Sequence, residues 1–509
     1  MTRRTPLLAA AALALSSVLP AGAATPAATA TRYGTAKGFT LVGHTTLGNR
    51  GVNSPIAVAG RCVYVGDRYD QNGVAIVDAV NPAKPKQIGK IAPVRGATQR
   101  ELRADVATGV LVVVNYALSI PVVAGANTIK TYDIRDCRKP KLLATYDMGA
   151  RSAHEFFLWK DTKRPGRMLV YLANTIYSPD LEVVDLTDPS APRLAAAFDL
   201  VADHAINPLT GLTTSNGGYL HSLSVSDDGT RAYMGGWDWG FYVLDTSALA
   251  APLAAGVAAP VVRPVGGLPT TYGGNVHGGV KVPGRPYAVL VEEGYADPGA
   301  GGCPFGHLRT ADLRDETAPK LIGEFKIQEN DCAKSLKLNG TFTSHNQTLF
   351  PNVALVPWYA GGLRAVDISD PKRPRESGAF VPRRYFEPDR RDNRLYFPGA
   401  DADPWVGVMW SYPVVQNGLI YVVDIDQGLF ILRYTGKHAA EVARAGYVEG
   451  NSAPSRYTRK PVVVLPRTGA PPTVAPPVVL SPYRTVSVAT QERARRMTQR
   501  RNAGFCVAG

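Results

Sequence analysis

Leu181–Pro192, LEVVDLTDPSAP, sets an apolar run against one aspartate and then a polar turn that ends in proline. That is a buried strand stopping at a tight corner. Imperfect copies return roughly every 50 to 70 residues, at Gly73–Pro82 (GVAIVDAVNP), Ile129–Pro140 (IKTYDIRDCRKP), Gly240–Ala248 (GFYVLDTSA), Leu308–Pro319 (LRTADLRDETAP) and Leu363–Pro374 (LRAVDISDPKRP). A degenerate seventh copy, Gly428–Tyr434 (GLFILRY), ends the series. Each unit holds several short strand patterns and no helical period. Around the third copy these are Glu155–Lys160, Met168–Ala173, Leu181–Asp185 and Leu194–Phe198. Four strands per unit make a propeller blade, so the expected fold is all-β, a seven-bladed β-propeller spanning residues 38–437. The repeated aspartates Asp78, Asp133, Asp185, Asp245, Asp312 and Asp367 read as turn-capping groups, since a carboxylate before a corner accepts the turn amides.

The V-V-D-x-x-D-P-x-x-P core resembles the LVIVD repeat found in secreted or surface bacterial proteins. The resemblance runs roughly over Phe39–Tyr434 and implies a β-propeller; it carries no single activity with it. The copy at Gly240 lacks the closing proline, the first lacks the second aspartate, and the seventh has Arg433 in place of the first.

Residues 1–23 combine Arg3 and Arg4 with an apolar run from Leu7 to Leu19 and Ala21-Gly22-Ala23, the pattern of a cleaved signal peptide. The arginine pair raises the twin-arginine export route, although Thr2 and Thr5-Pro6 fit it poorly. Residues 24–37 read as a linker, and no segment reaches the length of a membrane span. The expected location is therefore secreted or cell-surface. Residues 438–509 read as an extension, with a Pro-rich linker over 451–482 and a short basic segment over 487–502. Residues 465–469, LPRTG, match a sortase pentapeptide without the apolar segment that follows a true sorting signal.

The formal charge of +14 is concentrated at the ends, with ten basic residues against Glu492 after position 455. The body is near neutral, which argues against a nucleic-acid binder. The basic tail offers a contact for anionic envelope polymer. The 45% hydrophobic content supplies a large core, and the Gly- and Pro-rich composition suits short strands joined by turns. Phe39–Thr46 resembles the outer strand missing from the last repeat, so it is expected to close the ring. Of the five cysteines, Cys303 with Cys332 and Cys62 with Cys137 are the candidate disulfides of an exported protein, leaving Cys506 over.

The chemical signal lies where each innermost strand begins. Aligned there are Asn53, Arg100, His154, His221, His277, His345 and Trp410, so four of eight histidines share one offset in four successive blades. The loops expected on the same face carry Asp67, Tyr69, Asn115, Tyr116, Tyr177, Trp237, Asp238, Trp239, Glu292, Glu293, Tyr295, Trp358 and Tyr359. Such a ring reads in three ways: bonding between blades, direct contact with a ligand, or metal ligation by His154, His221, His277 and His345 with Glu155 beside them. Copper, zinc or iron suits imidazole donors. No GxSxG, HExxH, Walker or SxxK motif is present; Glu292, Glu293 and Asp297 are adjacent acids in one loop, and a glycosidase needs two facing carboxylates at a controlled separation. The reading is an exported propeller that binds a small ligand or surface partner at the channel mouth through Arg100, Trp237, Trp239, Tyr295, Trp358 and Trp410. The alternatives are a metal-dependent oxidoreductase, similar only in outline to copper-dependent thiol oxidase propellers, and a structural envelope protein.

Overall fold

The structure is a computed structural model that describes residues 29–31, 33–68, 72–117, 123–174, 179–199, 219–251, 262–269, 275–294, 306–330, 342–383 and 408–450. Its strands form seven antiparallel sheets, one per repeat. Blade 3 shows the common plan: Ala153–Lys160 innermost, then Met168–Asn174, Leu181–Asp185 and Arg193–Phe198 outermost. The inner three strands are almost wholly buried, while the outermost alternates. A strand packed on both faces by neighbouring blades has no solvent side, which is why the repeats read as continuous apolar runs.

The repeated corner does one job in blades 1 to 6. Oδ1 of Asp78, Asp133, Asp185, Asp245, Asp312 and Asp367 accepts the N–H two residues on, at 2.9–3.0 Å. The second acid repeats the device: Asp188 caps Ser190, Asp315 caps Thr317 and Asp370 caps Lys372. Asn81 takes that role in the first copy, bonding Ala83 at 3.1 Å. The capped corner then docks on the preceding blade. Thr131 donates to the Pro189 carbonyl at 2.6 Å, and Thr310 donates to that of Pro371. A Cβ on Gly323 would overlap the same Pro371 carbonyl, so this outer-strand position excludes any side chain. Where blade 4 lacks the proline, a single helical turn, Ser247–Ala250, replaces the corner. Its free carbonyls are taken by Arg167 of blade 3, which donates to Leu249 and Ala251 at 2.7 Å.

Ring closure follows the expectation. Phe39–Thr45 pairs antiparallel with Gly428–Tyr434, so chain ends from both sides of the ring share blade 7. The unit is larger than residues 38–437, however. Gly34–Lys37 pairs with Arg375–Pro382 at the outer edge of blade 6, and Thr29–Thr31 adds outside it, so part of the expected linker is strand. At the other end a helix, Ala439–Ala443, leads to Tyr447–Val448, which pairs with the innermost strand of blade 7. That strand ascends the central channel from its far end. Gly450 then reaches Arg103 of blade 2, whose guanidinium donates to the Gly450 carbonyl and lies 3.9 Å over the Tyr412 ring. Lys160 of blade 3 sits 3.7 Å from Glu449. The described part of the expected extension is thus a stopper in the channel.

Cys62 and Cys137 are disulfide-bonded, joining the second strand of blade 1 to the corner of blade 2. Cys303, Cys332 and Cys506 lie outside the described residues, as do the leader, the LPRTG stretch and the basic segment. Among the described residues no helix is long and apolar enough to cross a membrane.

Candidate functional site

For two of the four histidines, and for Arg100, the shared offset is a backbone irregularity. Pairing between the first and second strands skips one residue between Gln99 and Glu101, between Ala153 and Glu155, and between Val276 and Gly278. The skipped residues are Arg100, His154 and His277. A bulge leaves one residue outside the ladder and turns its side chain away from the pleat, here toward the channel mouth. His221 and His345 reach the same level just ahead of their strands, their N–H groups donating to Gly235 at 2.9 Å and to Pro357 at 3.0 Å. Close approach of the blades is part of the design: a Cβ on Gly235 would overlap the His277 carbonyl.

The four imidazoles form a regular stair. Successive ring centroids are 4.3 Å apart from His154 to His221, 4.3 Å from His221 to His277 and 4.0 Å from His277 to His345, all tilted by about the same angle, 53–55°. His221, His277 and His345 are buried, and His154 is half-buried. Two carboxylates serve the three buried rings. Glu293 places Oε2 3.5 Å from His221 Nε2 and 3.8 Å from His277 Nε2, and Oε1 3.3 Å from His345 Nε2. Glu155 places Oε1 3.3 Å from His277 Nε2. Each acid is held from behind: the Tyr359 hydroxyl donates to Glu293, and Asn346 Nδ2 donates to Glu155 at 2.8 Å.

Protonation separates the rings. Arg100 Nη2 lies 2.8 Å from His154 Nδ1 and 2.6 Å from Nε2, donating to whichever nitrogen carries no proton; burial and that guanidinium hold the ring well below the ordinary imidazole range. Burial and the neighbouring rings depress His221 in the same way, and burial with His277 depresses His345. His277 goes the other way: burial opposes its charge, but Glu155 and Glu293 outweigh it and raise the ring above its usual value. Burial would raise Glu155, yet His277 and its neighbours keep it well below the carboxylate range.

The rim is cationic and aromatic. Trp237 stacks on His221 at 4.5 Å and 17°, and Tyr219 stacks on Trp237 at 5.4 Å. Arg100 lies over Tyr116 at 5.1 Å and Arg68 over Trp410 at 4.7 Å. Neither guanidinium has a carboxylate in ion-pair contact among the described residues. Burial and the nearby Arg100 charge lower Arg68 to about 9.

Of the expected contact residues, Arg100, Trp237 and Trp410 reach the mouth. Trp239 and Trp358 do not: both are fully buried in the cores between blades, with Trp358 Nε1 donating to the Phe342 carbonyl at 2.9 Å. Direction is set by the turn. Trp237 and Tyr359 take positive φ, 51° and 44°, and bridge to Val276 and Met409 at the start of the next inner strand. Their neighbours keep the pleat and face the cores. Tyr69, Tyr177, Tyr295 and Asp297 lie outside the described residues. Glu292 faces away from the mouth, 2.8 Å from Arg309, which separates it from Glu293 as a catalytic pair. The expected ligand set also changes: His154 is engaged by Arg100, and Glu293 stands among the three remaining histidines. Glu293 and Arg68 carried a weak signal in sequence, each being a charged residue in a loop that follows an apolar second strand.

The LVIVD repeat matches residues 50–92 and 355–381, so the chain carries LVIVD repeats in blades 1 and 6. No curated protein matches the sequence. In fold the chain is similar to the crystal structure of Sqt1 from Chaetomium thermophilum, at 13% identity over 76% of this chain and 86% of that one, with a TM-score of 0.42. It is likewise similar to the Cps50 (Swd1) β-propeller domain from Myceliophteria thermophila, at 9% identity over 77% of this chain and 98% of that one, with a TM-score of 0.44.

Proposed function

We propose that this LVIVD-repeat propeller is a binding protein whose ligand is a small anion taken up at the histidine-lined mouth. The observation that carries the reading is the pair Arg68 and Arg100, two guanidiniums on one rim with no carboxylate in ion-pair contact among the described residues. Natural partners for a planar guanidinium fork are carboxylate and phosphate oxygens. Each guanidinium disfavours the charge of the other, Arg100 lowering Arg68, and a bound anion offsets that repulsion. Trp237, Tyr219, Tyr116 and Trp410 supply flat apolar walls around the charged rim, the usual composition of a small-molecule pocket.

The test is calorimetric titration of the full chain with sodium acetate, oxalate, sulfate and phosphate at constant ionic strength. At least one anion should bind the unmodified chain, and Arg100→Gln or Arg68→Gln should weaken it about tenfold or more, the loss of one charge-assisted contact. Equal binding by the variants, or none by the parent, removes the proposal. We also propose that the protein works outside the cytoplasm. Support comes from the leader-like residues 1–23 and from the Cys62–Cys137 bridge, since such bonds persist in oxidising compartments.

A further inference from the structure

Beneath the arginine rim the site has a second chemistry. We infer that His221, His277, His345 and Glu293 bind a divalent first-row transition-metal ion, with Glu155 as an additional carboxylate donor. Three observations lead there, none of which involves Arg68 or Arg100.

The first is distance. His221, His277 and Glu293 bring one donor atom each within 4.8 Å of one another, as do Glu155, His277 and His345, with His277 common to both sets. The four nitrogen-to-oxygen separations are 3.3, 3.3, 3.5 and 3.8 Å. Donors bound at ordinary zinc–ligand lengths around a tetrahedral ion lie about 3.4 Å apart. The histidine-to-carboxylate edges around His277 and Glu293 are thus close to the length that coordination requires.

The second is unmet hydrogen bonding. His277 is fully buried, and neither of its ring nitrogens makes an aligned hydrogen bond; His221 Nδ1 and Glu155 Oε2 are also buried without one. Native interiors rarely leave such groups unsatisfied, because each costs about 1 to 3 kcal/mol. Two of these atoms, His277 Nε2 and Glu155 Oε2, lie on the contact between the ring and its carboxylate, a place built for a partner outside the chain.

The third is tautomer. The carbonyl of Trp410 can only accept, so the 2.6 Å contact to His345 Nδ1 places the ring proton there. Neutral His345 then aims the Nε2 lone pair at Glu293 Oε1, 3.3 Å away. Two acceptors face each other across a gap that a cation fills. The backing contacts are those of a metal site as well, with Trp410, Tyr359 and Asn346 orienting one imidazole and two carboxylates from outside. Three imidazoles and oxygen donors, without thiolate, suit zinc, iron, manganese or copper rather than calcium. His154 is excluded, because Arg100 covers both of its nitrogens.

The full chain, purified without an affinity tag, should carry about one equivalent of a transition metal by elemental analysis. After chelation, cobalt(II) should restore that stoichiometry with the absorption bands of low-symmetry nitrogen and oxygen coordination, and zinc should raise the thermal midpoint. Glu293→Gln and His277→Ala should each lose the bound equivalent and the cobalt spectrum, while His154→Ala keeps both. If His277→Ala fails to fold, Glu293→Gln, which keeps size and shape, decides alone. A proton shared between His277 and the two acids is the rival occupant; it predicts no metal on isolation, no cobalt spectrum and no zinc-dependent midpoint, and any of these overturns the inference. Metal retained by Glu293→Gln does so too. Anion titration of the metal-free chain reports on the arginine rim separately, so the two proposals fail independently.

Discussion

Asp424 ends the second strand of blade 7 and is fully buried. Its Oδ1 accepts the N–H groups of Asp426 and Gln427 at 3.0 and 2.9 Å, but Oδ2 has no partner among the described residues. Burial pushes this carboxyl up to about 7. An unfolded aspartate titrates near 3.9 (about that value in model peptides). The folded chain therefore binds the proton more tightly, and stability from this residue is full below the unfolded value and lost as pH rises through 7. Asp424→Asn should consequently raise the thermal midpoint at pH 8 and leave it nearly unchanged at pH 4. The gain is on the order of 2 kcal/mol once the new amide's own unmet bond is counted. Equal effects at the two pH values would refute the assignment. Glu101, pushed by burial up to about 7 inside the channel, follows the same sign.

Among elements, the capped corner is the unit that turns a strand into a blade. Asp185 is buried, bonds the Thr187 N–H at 2.9 Å and pairs with Arg193 at 2.8 Å; its depressed carboxyl contributes stability that disappears as pH falls through its folded value. Asp185→Ala should cost about 1 to 2 kcal/mol in denaturant unfolding at pH 7. Asp312→Ala, at a corner open to solvent, should cost measurably less. This corner was legible in sequence because the same backbone demand recurs and the residues that meet it recur too. The missing outer strand was legible for a related reason, since Phe39–Thr45 repeats the pattern of its counterparts. Four histidines at one offset were likewise visible, two of them, His154 and His277, marking a bulge and two standing just ahead of their strands. What sequence left unseen depends on loop geometry. Positive φ at Trp237 and Tyr359 sends those rings to the mouth, while Trp239 and Trp358, one or two residues away, face the cores. Whether Glu292 or Glu293 points inward likewise turns on one residue of loop register.

At the scale of the molecule, closure has two parts, one around the ring and one along its axis. Pairing of Phe39–Thr45 with Gly428–Tyr434 removes the open edge of blade 7. Tyr447–Gly450 then fills the channel, where Arg103 is 1% exposed and spends a bond on the Gly450 carbonyl. A chain ended at Gly450 keeps every described contact of the stopper and serves as the reference. Ending it at Gly446 removes the short strand and strips Arg103 of that acceptor, and should cost about 2 kcal/mol or more. Identical midpoints for the two would show that the stopper contributes nothing. The stopper also decides how traffic runs. A propeller bored through its centre admits solutes from either side, whereas here Tyr447–Gly450 lies across the inner strands of blades 7, 2 and 3 at the end away from the histidines. What settles among the histidines then leaves on the side of Arg68 and Arg100, so the pair proposed to attract an anion should also govern how long it stays.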